Sequence, residues 1–164
     1  MTILLSFLMM AGLFLLLWAG VGFIQDKRFF TSAPKEVYEL VQPKKERFSG
    51  QHLMGWILAI IAIFLMVGSL VLAALIGIHN NFTLEQFFSR LITILLLMKT
   101  FDIVFFDWVL LSNGGFGFFE RYYHEVKEVL SSKLFGYNKK EHFSHIILMI
   151  IGAFVLAWIC SLFL

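Results

Sequence analysis

Lys99, Asp102 and Asp107 are the side chains best placed for chemistry, because they interrupt residues 87–112, a stretch otherwise almost wholly apolar after Arg90 in its first turn. With Arg90 as the border of that stretch, Lys99 lies about 13 Å further along a helical rise, near the middle of a bilayer. A charge there costs at least ~2.5–3.5 kcal/mol on insertion scales, so such residues persist by pairing or by facing water. Lys99 and Asp102 stand at i and i+3, where a helix brings two side chains together. The chemistry they suit is a proton or ion relay, or the binding of a charged solute. The plainer role is an internal ion pair that fixes the rotation of the helix. On an ideal α-helix Asp107 lies about 140° from Asp102 and about 80° from Lys99, which predicts a different face for it. No other apolar stretch contains an opposite charge, so a second partner is expected from another subunit or a bound solute.

A second group gathers at one level of the expected fold. His52 starts one apolar stretch, His142 and His145 start another, and Asp26 ends a third. Glu120 and His124, in a helical stretch between stretches, would cap the same region. Imidazole and carboxylate together are the ligands of a divalent metal, which makes His52, His142, His145, Asp26, Glu120 and His124 the candidate metal ligands. Against this stands the ordinary use of histidine, an amphipathic side chain, at membrane borders. There is no HExxH box. A haem would need an axial histidine deep within a span, and the five histidines sit at borders. Gly114, Gly115 and Gly117 lack the lysine and hydroxyl of a phosphate loop and read as a hinge.

The elements that must position these residues are hydrophobic spans. Residues 3–24 and 53–78 contain no charge, and each is long enough to cross a hydrocarbon core of ~30 Å. Residues 143–164 form another such run, and residues 87–112 are the charged one. The first stretch has no basic residue before it and ends at Trp18 and the polar run Gln25, Asp26, Lys27, Arg28, which predicts a retained helix rather than a cleaved signal. Thr83 and Gln86 have the spacing of a capping box opening the third helix. Ser69, Ala73 and Gly77 recur at i+4, as do Ala153, Ala157 and Ser161, giving two small-residue stripes where another helix can approach closely. A short helix is expected between Pro34 and Pro43, and an amphipathic interfacial helix over 120–134 in the second long loop.

Composition agrees. The 164 residues are 60% hydrophobic and 15% charged, with 20 Phe, where a soluble domain is closer to half apolar and a quarter charged. A net charge of +2 without a Lys/Arg-rich run excludes a nucleic-acid-binding face. One cysteine, Cys160, excludes an internal disulfide or a CxxC site.

The sequence therefore predicts an all-α integral membrane protein: a single membrane domain over 1–164, a four-transmembrane-helix bundle with spans near 3–24, 53–78, 87–112 and 143–164. Eleven of the 13 Lys and Arg fall in loops 25–52 and 113–141 and none in the short loop between the second and third spans, so both long loops are expected in the cytoplasm and both termini outside. The expected partners are the lipid bilayer and either further copies of the chain or other membrane subunits. The expected function is that of an oligomeric transport or ion-pathway protein, or a subunit of a membrane complex, using Lys99 and Asp102. A small membrane enzyme with a histidine–carboxylate site at the cytoplasmic border, and a structural partner without chemistry of its own, are the alternatives.

Overall fold

The structure is a computed structural model, and it describes residues 1–30, 35–110, 126 and 139–164. Every regular element among them is helical. Helix α1 (Thr2–Ile24) is α-helical over Thr2–Leu17 and continues as a π-helix over Trp18–Ile24. A 3-10 turn at Lys27–Phe30 and the short α2 (Lys35–Leu40) follow. Helix α3 is Gln51–His79 and α4 is Leu84–Phe101, continuing as a π-helix over Asp102–Leu110; α5 is Lys139–Ser161.

This is a membrane protein by its helices: α1, α3 and α5 are each long and apolar enough to cross a bilayer. They present their largest side chains outward. Phe64 is 74% exposed on α3, and Leu148 is 67% exposed on α5; faces of this kind suit hydrocarbon rather than water. Helix α4 differs because Glu85, Arg90 and Lys99 fall within it. The expected interfacial helix over 120–134 and the glycine hinge at 114–117 lie outside the described residues, Val126 apart.

Helix directions follow from contacts. Gly12 meets Met66 and Ala62, and Gly55 meets Phe23 and Ile24, so α1 and α3 run antiparallel. Phe88 meets Phe154 edge-on and Lys99 reaches His145, so α4 and α5 are antiparallel too. Phe14 packs on Phe105 and Phe106 while Thr2 lies near Arg90, which makes α1 and α4 parallel. The two central helices are thus α1 and α4, with α3 against the first and α5 against the second. Leu5, Met9, Ala73, Phe87, Leu91, Ala157 and Cys160 form the core shared by all four.

The small-residue stripes do their work inside the chain. Ser69, Ala73 and Gly77 are buried, as are Gly55, Ala59 and Ala62 on the same helix. Gly77 lies against the ring of Phe87, so a side chain there would strike a fully buried aromatic. On α5 the buried set is Ala153, Ala157 and Cys160, with Ser161 only partly covered. The stripes therefore supply no spare surface for self-association. The α3–α4 turn closes with the expected capping box: Gln86 N donates to Thr83 Oγ1 at 3.4 Å and Thr83 N to Gln86 Oε1 at 2.9 Å.

The π-helical windings are not readable from the sequence. In α1 the winding spans Gly20, whose missing side chain lets the Phe29 ring sit on the backbone. It ends at Gln25, which takes φ 54° and donates its N–H to Gly20 O at 2.7 Å. Gln51 at the start of α3 braces this end. Its Nε2 donates to Phe23 O at 2.7 Å, and its Oε1 accepts from Arg47 N at 2.9 Å. A buried amide satisfied at both ends in this way stabilises a join that an apolar residue would leave with an orphan carbonyl.

Candidate functional site: ionisable residues between α4 and α5

Lys99 sits in the last α-helical turn of α4, and Asp102 begins the π-helical continuation. The i+3 spacing brings them together: Lys99 Nζ donates to Asp102 Oδ2 at 2.6 Å. The lysine is 5% exposed, one of very few buried charges in the described chain. Its other neighbour comes from α5, where His145 Nδ1 lies 3.5 Å from the same nitrogen. A lysine ammonium only donates. His145 therefore meets it as an acceptor, with the ring proton on Nε2. The other spans carry no opposite charge, as expected, but the expectation that a second partner must come from another subunit or a bound solute is corrected by this imidazole, which a count of carboxylates does not register.

Asp107 belongs to the next turn outward. Its Oδ2 lies 2.7 Å from His142 Nε2, and both side chains are about four-fifths covered. The ideal α-helical wheel put Asp107 on a different face from Asp102. The observed winding changes that: an i→i+5 helix carries a residue five positions on back towards the starting face. Asp107 consequently points to α5, and it lies within electrostatic reach of Asp102 and Lys99. π-Windings of this kind occur often at functional sites.

On α5 the two histidines at i and i+3 share one face, as their spacing requires. Two dyads result, Lys99–Asp102 with His145 and Asp107 with His142, one helical turn apart (about 4.5 Å of rise). His142 Nδ1 is buried and makes no hydrogen bond. Phe105 and Phe106 pack on Phe14 beside this site, and Phe101 stacks on Phe105 at 5.0 Å.

The four described candidate metal ligands do not converge. Among the described residues no three His, Cys, Asp or Glu side chains come close enough to hold an ion. Asp26 is taken by Arg28 through a two-pronged contact, Nη2 to Oδ2 at 2.8 Å and Nε to Oδ1 at 3.1 Å. That bonding, with the Arg28 backbone N–H, holds the Asp26 carboxyl below the usual carboxylate range. The backbone N–H of His52 donates to Glu46 Oε1 at 2.8 Å, and its ring Nδ1 lies 3.7 Å from the same oxygen. His142 and His145 go to Asp107 and Lys99. Glu120 and His124 lie outside the described residues. The bundle points the four described ones to different neighbours.

Comparison with known proteins yields no matching family model, no matching curated protein and no matching solved structure. The functional reading therefore rests on geometry.

Proposed function

We propose that the chain is a four-span integral membrane protein that moves protons through the ionisable row between α4 and α5. In this reading α4 is a further span despite its charges, because Lys99 and Asp107 meet histidines of α5 and Glu85 and Arg90 lie within its first turns. The observation that carries it is the buried Lys99 ammonium, held between a carboxylate and an imidazole from two different helices. A histidine can take a proton on one ring nitrogen and release it from the other. Asp102, His145, His142 and Asp107 stand in the order such a handover needs, from mid-span towards a helix end. Intramembrane ionisable residues in pumps and transporters serve this role.

Four spans are few to enclose a wide solute path, so the working unit is an assembly, either of copies of this chain or with other membrane subunits. The outward apolar faces of α3 and α5 are the surfaces available to lipid and to those subunits. The excess of Lys and Arg in the two long loops supports termini outside and loops in the cytoplasm.

The test is proton flux into liposomes containing the purified chain and a pH-sensitive dye, driven by a potassium diffusion potential. Flux above that of empty vesicles is expected for the parent chain. His145→Phe and the double change Lys99→Met with Asp102→Leu should reduce it to the empty-vesicle level while the protein remains folded. A folded double variant that conducts like the parent would leave the row as an internal brace and overturn the relay.

A further inference from the structure

At the opposite end of the bundle from the ionisable row is an open cleft of about 580 Å³ between the N-terminus of α1 and the first three turns of α4. Its volume is within the range of small-ligand sites. Thr2 and Ile3 form one wall; Phe82, Glu85, Ser89 and Arg90 form the other. None of these residues belongs to the proposed relay.

The chemistry of the cleft is that of a cation and an anion kept apart. Arg90 lies over the Phe82 ring, its guanidinium carbon 4.3 Å from the centroid. Stacking on one face fixes the plane of the fork. Phe82 is itself held by an edge contact with the fully buried Phe87. Arg90 Nη1 is buried and makes no hydrogen bond. Neither Arg90 nor Glu85 forms an ion pair among the described residues. A buried N–H donor of a charged group costs free energy while it lacks an acceptor, and a planar fork fits the oxygens of a phosphate. Glu85, in the first turn of the same helix, offers an exposed carboxylate to a positive group. Leu4 and Phe7 on the adjacent face of α1 are exposed and apolar, 63% and 62%, as acyl-chain neighbours would be.

We infer that this cleft binds a phosphoester that also carries a primary ammonium, with the phosphate on Arg90 and the ammonium on Glu85, and that its source is a phosphatidylethanolamine headgroup. The inference rests on α4 crossing the membrane, which puts Arg90 about 9 Å inside the start of the helix, within a long side chain's reach of the headgroup layer. A quaternary ammonium, as in phosphatidylcholine, has no N–H to donate to Glu85. A headgroup with phosphate alone leaves Glu85 facing a negative charge.

Native mass spectrometry of the detergent-solubilised full chain, with phosphatidylethanolamine, phosphatidylcholine and phosphatidylglycerol of identical acyl chains, tests it. The parent should retain phosphatidylethanolamine at least about tenfold over the other two, the discrimination expected of one well-placed charged hydrogen bond. Arg90→Gln should lose both preferences. Glu85→Gln should keep lipid binding and turn the preference towards phosphatidylglycerol, a change of sign that misfolding cannot imitate. Arg90→Lys, which keeps the charge without the fork, should fall between the parent and Arg90→Gln. Equal retention of the three lipids by the parent, or an unchanged preference in a folded Arg90→Gln protein, would overturn the site. Displacement of the lipid by equimolar glycerophosphoethanolamine would overturn its lipid source. Loss of proton flux in the relay variants with lipid preference intact, or the reverse, separates this inference from the proposed function.

Discussion

Replacing Asp102 by Asn removes one charge while keeping size, shape and a hydrogen-bond acceptor for Lys99. The ammonium, 5% exposed and 2.6 Å from the lost carboxylate, is then left without its counter-charge. Stranding one member of a buried pair costs about 3–5 kcal/mol. Two features reduce that figure here: the Asp102 side chain keeps a quarter of its exposure, and His145 stays at 3.5 Å as an acceptor. An expected loss of about 2–4 kcal/mol follows, the lower part of the range for breaking a buried pair. In a chain of this size it corresponds to a fall of roughly 5–15 °C in the melting midpoint. The double change Lys99→Met with Asp102→Leu removes both charges and their desolvation, so it should lie within about 1 kcal/mol of the parent. The difference between the double variant and the sum of its singles is then a coupling energy of the sign and size that contacting residues show. Thermal unfolding in a fixed detergent, followed by tryptophan fluorescence on the parent, both single variants and the double, measures it. An Asp102→Asn protein that melts within 1 °C of the parent would refute the reasoning, because it would mean that the ammonium does not depend on its carboxylate.

Two glycines of α3 should respond to Ala with opposite signs. At Gly77 a Cβ strikes the buried Phe87 ring, and overpacking of this kind costs about 1–3 kcal/mol; at Gly68, with nothing nearby, Ala should stabilise by up to about 1 kcal/mol through helix propensity, and thermal melts of both variants decide. In a Cys160→Ser background, Asn80→Cys should react with an impermeant maleimide from outside intact cells and Ser49→Cys should not; the reverse pattern would invert the topology. Arg28→Gln should raise the titration midpoint of Asp26 towards the ordinary carboxylate value, read from its side-chain carbon by NMR. Because the folded-state midpoint is depressed, the stabilisation from this pair is present above the ordinary Asp range and is lost as pH falls through the folded midpoint; an unmoved midpoint would show that Arg28 is not its cause.

The features legible in the sequence are local. A charge-free run as long as residues 53–78 leaves few options but a buried or lipid-facing helix. Thr83 and Gln86 close their capping box within one turn of chain, and Lys99 and Asp102 meet because i+3 is a property of any helix. The small residues at Ser69, Ala73 and Gly77 marked where a neighbour would come close, although not which one. Tertiary structure decided the rest. His145 reaches Lys99 across 46 residues of sequence and His142 reaches Asp107 across 35, and such pairings depend on the direction, depth and rotation of two helices at once. The π-winding after Phe101 is another such decision: the same residues wound as an ideal α-helix send Asp107 elsewhere. Likewise a place near a helix end, which is all that the sequence offers for the candidate metal ligands Asp26, His52, His142 and His145, fixes one coordinate only. Packing set the angular one, and it gave His52, His142 and His145 a different partner each.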